Sequence, residues 1–277
     1  MSTVFKAACV QLRSGIDIAV NINAASKLIR EAKSQGAGFV ATPEVTSLFE
    51  AESDRLFAKV QTEEDDVALK ALRGLAEELS LWLLIGSMPI KVAERQCANR
   101  SFLIDPQGQV RATYDKIHMF DVDLPGGEVY RESRNFRRGE RAVVVDLPWG
   151  KLGMSVCYDL RFPQLYRSLA KAGASFITIP SAFTHTTGQA HWHVLLRARA
   201  IETGCFVIAP AQGGVHENGR HTYGHSLIVD PWGAILVEGG EEPGVIVADI
   251  DPAKVADVRA RIPSLTHDRP FTVPEGN

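Results

Sequence analysis

The sequence predicts a single-domain α/β protein in which two apolar sheets pack face to face and helices cover their outer faces. Three observations predict this. Apolar strand-like runs alternate with amphipathic helical segments along the 277 residues. The runs are too apolar to leave a sheet face in water, so each sheet needs cover on both sides. One hairpin pattern also recurs. "SFLIDPQGQVRATY" (101–114) and "SLIVDPWGAILVEG" (226–239) both read as strand, Asp-Pro-x-Gly turn, strand.

The elements follow in order. "FKAACVQL" (5–12) is a strand. The segment 21–36 is a helix with Ile22, Ala25, Leu28, Ile29 and Ala32 on one face and Gly36 as its stop. "AGFVATPE" (37–44) is a strand ended by Pro43. Segment 66–81 is a helix, with Leu69, Leu72, Leu75, Ala76 and Leu79 at helical spacing, and "WLLIGSMPI" (82–90) is the next strand. A third hairpin is expected at 143–156, leading into Cys157. The helix 163–173 has Pro163 in its first turn, where a missing N–H costs little. Strand 175–181, helix 190–204 and strand 206–212 complete the second series.

Composition narrows the function classes. The chain is 45% hydrophobic and 23% charged, which is ordinary for a globular protein. A formal net charge of -3 gives no pull toward nucleic acid or an anionic membrane. "RESRNFRRGER" (131–141) holds five arginines, but interleaved glutamates make it a solvated loop. No run approaches the roughly 18 apolar residues of a membrane span. "MSTVFKAACVQL" carries Lys6 inside its apolar run and reads as a first strand, not a signal peptide. Cys9, Cys97, Cys157 and Cys205 are widely spaced with no CxxC pair, so neither zinc nor a disulfide framework is indicated. Free thiols place the chain in a reducing cytoplasm.

Several residues are candidates for chemistry. Cys157 ends an apolar strand just before a helix, near backbone N–H groups that favour an anion and lower a thiol pKa. By position alone it is either a nucleophile or a small core residue. Glu44 closes a buried strand and is either an exposed loop acid or a general base with a raised pKa. Lys116, in "TYDKIHMFD", and Glu132, in "VYRESRNF", are ordinary surface residues if taken singly. His191 and His193 point to different faces of a helix, and His221 and His225 bracket a turn, so no metal is expected.

Taken as a set, these segments resemble a known family. "TPE" with Glu44, "YDKIHMFD" with Lys116 and "CYDLRFPQLYR" with Cys157 match, in order, the three signature regions of the nitrilase superfamily of carbon–nitrogen hydrolases. The resemblance covers nearly the whole chain. It implies a four-layer α-β-β-α sandwich and at least a homodimer, with residues 252–277 as an extension contacting the partner subunit. It also implies Cys157 as nucleophile, Glu44 as general base and Lys116 as stabiliser of the tetrahedral intermediate, with no cofactor. Glu132 matches a second glutamate beside the lysine, with Glu128 a near competitor. Cys-Tyr-Asp, rather than Cys-Trp-Glu, is similar to the amidase-like Nit branch. The segments 180–214 and 223–233 resemble that branch too, except that His193 stands where its members mostly carry Glu.

The expected reaction is therefore hydrolysis of a small carboxylate-bearing amide through a cysteine thioester. Lys116 and the Tyr158 backbone N–H would hold the oxyanion. Arg161 lies about one turn past Cys157 and suits a substrate carboxylate, or else pairs with Asp159 or a distant acid. Thr187, in the "THTTG" loop, offers a hydroxyl to the same group. The resemblance points first to deaminated glutathione, giving 2-oxoglutarate and cysteinylglycine. The alternatives are ω-amides of 2-oxo acids and, in another class, a non-catalytic protein with a redox-reactive thiol.

Overall fold

The computed structural model describes residues 4–124 and 127–273. The first half builds one sheet from β1 (Phe5–Gln11), β2 (Phe39–Ala41), β3 (Trp82–Ala93), β4 (Gln96–Ile104) and β5 (Val110–Asp115). A ribbon of β6 (Asp121–Asp123) and β7 (Val129–Arg131) follows, and short β8 (Phe136–Arg137) pairs with β4. The second half repeats the scheme with β9 (Val143–Leu147), β10 (Gly150–Met154), β11 (Ala174–Thr178) and β12 (Phe206–Ala209). The ribbon of β13 (Gly213–Val215) and β14 (His221–Tyr223) precedes β15 (Leu227–Val229) and β16 (Ile235–Glu238). The last strand, β17 (Gly244–Ile250), returns to the first sheet beside β1, giving the orders β17-β1-β2-β3-β4-β5 and β16-β15-β12-β11-β10-β9. In both sheets parallel strands sit at the centre and antiparallel hairpins at the edges. The three expected hairpins are β4–β5, β9–β10 and β15–β16.

Strand alternation makes the layers. Ala7, Cys9, Phe39, Ala41, Leu84 and Leu103 point inward and share one core with Leu152, Met154 and Phe176 of the second sheet. Phe5 seals this interface, stacked on Trp149 at 4.1 Å and edge-on to Phe176 at 5.5 Å. The intervening residues Ala8, Val10, Val40, Leu83 and Ile85 face outward. They are covered by α1 (Ile18–Ser34) and α3 (Val67–Leu79), whose Ile29, Leu72 and Ala76 are fully buried. On the other side α4 (Pro163–Lys171) and α5 (His185–Thr203) cover the second sheet with Leu169, Trp192 and Leu196. Gly153 permits the approach of α4, because a Cβ there would stand 3.1 Å from Leu169. The order of layers is α-β-β-α. A short α2 (Ser53–Lys59) lies beside the first sheet's loops, and among the described residues no helix is long and apolar enough to cross a membrane.

Two expectations need adjustment. Helix α1 starts earlier than 21, because Asp17 accepts a hydrogen bond from the Val20 N–H and caps it. Helix α5 starts at His185, because the Thr184 side chain caps it by accepting the Thr187 N–H. The "THTTG" segment is thus a first helical turn and not a loop. The expected C-terminal extension is partly folded onto its own chain. Residues Ala253–Arg261 form α6, whose Val255 is buried and whose Arg259 donates to Thr203 O and Ala174 O. Beyond it Asp268 pairs with Arg167 and Lys171 of α4. Residues 274–277 of that extension lie outside the described residues.

Candidate active site

Both sheets present their strand ends to one cavity of about 470 Å³, where α/β sheets characteristically leave a crevice. The first sheet brings Glu44 just after β2, Asn99 in β4 and Lys116 at the end of β5. The second brings Cys157 just after β10. The β6–β7 ribbon then turns into a short 3-10 segment, Glu132–Arg134, that delivers Glu132.

The geometry of these groups is close and buried. Lys116 is 2% exposed, and its Nζ donates to Glu44 Oε1 at 2.9 Å and to Glu132 Oε2 at 2.8 Å. The Asn99 amide donates to Glu44 Oε1 and to Glu132 Oε1, both at 3.0 Å. The Ala182 N–H donates to Glu44 Oε2 at 2.9 Å, and the Phe120 N–H donates to Glu132 Oε2 at 2.7 Å. Cys157 lines the same cavity as Glu44, and each biases the other's protonation. Glu128 is elsewhere, exposed and bonded to the Tyr130 hydroxyl at 2.6 Å. The structure therefore brings Glu132, not Glu128, to the lysine.

The electrostatics follow from two carboxylates around one ammonium. Burial alone would raise the Glu44 pKa, but the Lys116 ammonium and bonds from Cys157, Lys116 and Asn99 outweigh it and hold Glu44 below the usual carboxylate range. Burial opposes the charge on Lys116 as well, yet Glu132, Glu44 and Cys157 hold its pKa well above the ordinary lysine value. Cys157 goes the other way from expectation. Burial and the Glu44 charge push its thiol well above the ordinary value, and Lys116 offsets only part of that. At rest the group is carboxylate, ammonium and protonated thiol. The expected raised Glu44 and lowered Cys157 are both corrected: the Lys116 ammonium keeps Glu44 charged, and burial together with that charge keeps the thiol protonated.

Backbone strain marks the same two places. Cys157 has φ +50° and Val45, next to Glu44, has φ +53°. A non-glycine residue in this region costs of order 1–3 kcal/mol and persists only where neighbours enforce it. The Cys157 N–H donates to Pro180 O at 2.9 Å, and the Val45 N–H donates to Ser87 Oγ at 3.0 Å. Asp159 fastens the cysteine turn from below. It accepts from the Tyr114 hydroxyl at 2.7 Å and from the Val156 N–H at 2.9 Å, and it contacts His118 Nδ1 at 2.7 Å.

That engagement removes Asp159 as a partner of Arg161. The Arg161 guanidinium instead lies 5.2 Å from the Phe183 ring and 5.9 Å from the Tyr158 ring, with Nη1 3.2 Å from His191 Nδ1. Arg161, Tyr158 and Thr187 all line the cavity with Cys157. The Thr187 hydroxyl is 2.8 Å from that of Thr184 in the first turn of α5. The N–H groups flanking that of Tyr158 are both engaged, Cys157 with Pro180 O and Asp159 with Val156 O.

Some of the site was missed. Asn99 bridges both carboxylates, and its own Oδ1 is buried without a hydrogen bond among the described residues. Its signal was a polar run, Asn99-Arg100-Ser101, in the middle of a buried strand. Arg220 also lines the cavity. His193 does not line it and pairs with Glu238 at 2.7 Å. Outside the cavity, His185, His221 and Glu241 bring one ligand atom each within 4.8 Å of one another. This corrects the expectation that turn geometry removes His221, since it lies in β14 with its ring stacked on His185 at 4.1 Å.

Comparison with known proteins identifies the family and the fold. The family model described as carbon-nitrogen hydrolase matches residues 6–260. A deaminated glutathione amidase of Synechocystis sp. (strain PCC 6803 / GT-S) is 42% identical over 267 residues, covering 95% of this chain and 97% of that protein. The crystal structure of Saccharomyces cerevisiae Nit3, a member of branch 10 of the nitrilase superfamily, superposes with a TM-score of 0.87 at 30% identity, over 98% of each chain. A glutamate-to-glutamine mutant of the amidase from Nesterenkonia sp. AN1 superposes at 0.80 with 29% identity, over 93% of this chain and 95% of that one. It shows covalent addition of the acetamide moiety of fluoroacetamide at the active site cysteine.

Proposed function

The chain belongs to the carbon–nitrogen hydrolase family, and from that premise we propose that it hydrolyses deaminated glutathione to 2-oxoglutarate and cysteinylglycine through a thioester on Cys157. One observation carries the chemistry: the Lys116 ammonium is bonded to the Glu44 carboxylate in the cavity that Cys157 also lines. Glu44 takes the thiol proton as sulfur attacks the amide carbonyl, so the C–S bond forms without a free thiolate at rest. Lys116 and the Tyr158 N–H, the remaining backbone donor of the cysteine turn, hold the oxyanion. Losing one such donor typically costs about 2.7–4 kcal/mol of barrier. Glu44 passes its proton to the leaving amine as the C–N bond breaks. It then takes a proton from water, which attacks the thioester. The carboxylic acid leaves and the thiol is restored. Glu132 and Asn99 act through others: they fix Lys116 and Glu44, whose side chains otherwise lose rotamer entropy on ordering. No step draws on a metal or organic cofactor.

Arg161 and Thr187 receive the carboxylate of the 2-oxo acid. The support is that Arg161 faces the cavity with aromatic rings and His191 as neighbours, instead of a carboxylate. The redox-thiol alternative fits less well. A sensor thiol is exposed and acidic, whereas Cys157 is buried and pushed up by Glu44. All four cysteines are free and buried, which suits a reducing cytoplasm. The same reading includes a homodimer or larger homo-oligomer, for which Val194 and Ile201 on α5 and Phe271 in the C-terminal segment offer exposed apolar surface.

Turnover of purified protein on deaminated glutathione and on 2-oxoglutaramate tests the substrate. The expected result is a higher kcat/KM on deaminated glutathione. Preference for 2-oxoglutaramate would make the protein an ω-amidase, and cleavage of neither would remove the Nit-type assignment.

A further inference from the structure

Resting on the reading above, we propose that Arg220 forms a second anion subsite of the cavity, one that takes the carboxylate at the far end of the leaving group. The substrate carries two acids, one on each side of the scissile amide. The 2-oxo acid belongs to the acyl part, and the glycine carboxylate belongs to the departing cysteinylglycine. Arg161 accounts for the first and nothing so far accounts for the second.

Arg220 is built for that task. Its guanidinium lies 4.8 Å from the Phe49 ring centroid and 4.6 Å from that of Tyr130, both of which line the cavity. Cation–π contact orients the group, and the planar edge of a guanidinium suits a planar anion. Among the described residues no carboxylate stands at ion-pair distance from it, whereas nearby Arg131 pairs with Asp123 at 2.7 Å. The turn carrying it is pinned. The His216 N–H donates to Arg220 O at 2.8 Å, the Arg220 N–H donates to Asn218 Oδ1 at 3.0 Å, and Asn218 Nδ2 donates to Phe49 O at 2.7 Å. His216 anchors the base, with Nδ1 2.8 Å from Ser14 O and Nε2 2.7 Å from Thr222 Oγ1.

Its position also fits. One aromatic wall runs from the cysteine turn to Arg220: Tyr158 to Phe120 at 5.1 Å, Phe120 to Tyr130 at 5.0 Å, then the guanidinium. Arg161 lies over the first ring of that wall and Arg220 over the last. Both cations line the cavity with Cys157 and the wall separates them, as two acids on opposite sides of one amide require. A preformed charge at that distance binds the ground state and the transition state alike, so its loss raises KM more than it lowers kcat.

The test compares wild type with Arg220→Gln on deaminated glutathione and on its analogue ending in glycinamide, with 2-oxoglutaramate as the substrate lacking that end. Removing the cation or the carboxylate is expected to raise KM about tenfold or more, as for a charge-assisted hydrogen bond pair. Removing both is expected to add nothing further, because each change breaks the same contact. Arg220→Lys is expected to fall between. Independent, multiplying effects of the two changes would overturn the subsite. So would an equal loss for Arg220→Gln on 2-oxoglutaramate, which would reveal a folding or positioning defect. Wild type that fails to cleave deaminated glutathione overturns the substrate reading, and the subsite falls with it. Wild type that cleaves it with multiplying effects overturns the subsite alone.

Discussion

Cys157→Ala is expected to lower kcat by at least about 10⁴-fold while the fold survives. The effect is large because no other group can take over. Cys9, Cys97 and Cys205 are buried, and burial pushes all three thiols up, Cys97 to about 12. Structurally the change is mild, since it removes one sulfur from a position already bordering the cavity. The strained backbone gives a second, opposite expectation. With φ at +50°, any residue bearing a Cβ is held against its preference. Cys157→Gly is therefore expected to be more stable than Cys157→Ala by about 1 kcal/mol, and equally inactive. Urea unfolding of the two variants measures this. Near-wild-type turnover in either would remove Cys157 from the chemistry, and a glycine variant less stable than the alanine would show that the turn carries no strain.

Lys116→Met is expected to be damaging in two ways. It removes the only ammonium bonded to Glu44 and Glu132 among the described residues, so kcat should fall by about 10²–10³-fold or more through loss of the oxyanion cation. It also leaves the buried Glu44 and the half-buried Glu132, joined through Asn99, without a counter-charge. Breaking a buried pair in this way costs about 3–5 kcal/mol. The pH dependence has a definite sign. In wild type the folded Glu44 pKa lies below its unfolded value, so its contribution is present above the unfolded pKa and lost as pH falls through the folded one. In the variant at least one carboxylate has its folded pKa raised, so folding takes up a proton and stability falls as pH rises. The stability gap to wild type should therefore be wider at about pH 7.5 than at about pH 5. An equal gap at both would mean that Glu44 and Glu132 are not coupled through the lysine.

The contrast between what was and was not legible in the sequence follows from chain separation. The two-sheet architecture could be read because most of the buried strands are apolar, and the repeated Asp-Pro-x-Gly turns mark two of the hairpins. Glu44, Lys116 and Cys157 stood out only as a set, since each ends a strand and each has an ordinary alternative. The choice between Glu128 and Glu132 was not legible, because it depends on how the β6–β7 ribbon turns, and both glutamates flank β7. Asn99 lies mid-strand, where local pattern suggests packing rather than chemistry. Its role exists only once β4 is laid beside β5 and Glu44 arrives from β2. Arg220 sits on a turn of the second half, and its two aromatic neighbours come from the first. The reversed thiol pKa was also out of reach, since helix-terminus reasoning about Cys157 counts nearby donors and omits the burial and the Glu44 charge that folding brings.

The central claim is that hydrolysis passes through one thioester on Cys157. Deaminated glutathione and 2-oxoglutaramate differ in their leaving groups but would leave the same 2-oxoglutaryl group on the sulfur. Turnover of each in the presence of hydroxylamine, with the 2-oxoglutaryl hydroxamate and 2-oxoglutarate both quantified, tests this most directly. The account predicts the same hydroxamate-to-acid ratio from both amides at every hydroxylamine concentration, because water and hydroxylamine compete for one intermediate. Ratios that depend on the leaving group, or acid formed with no hydroxamate at all, would contradict it.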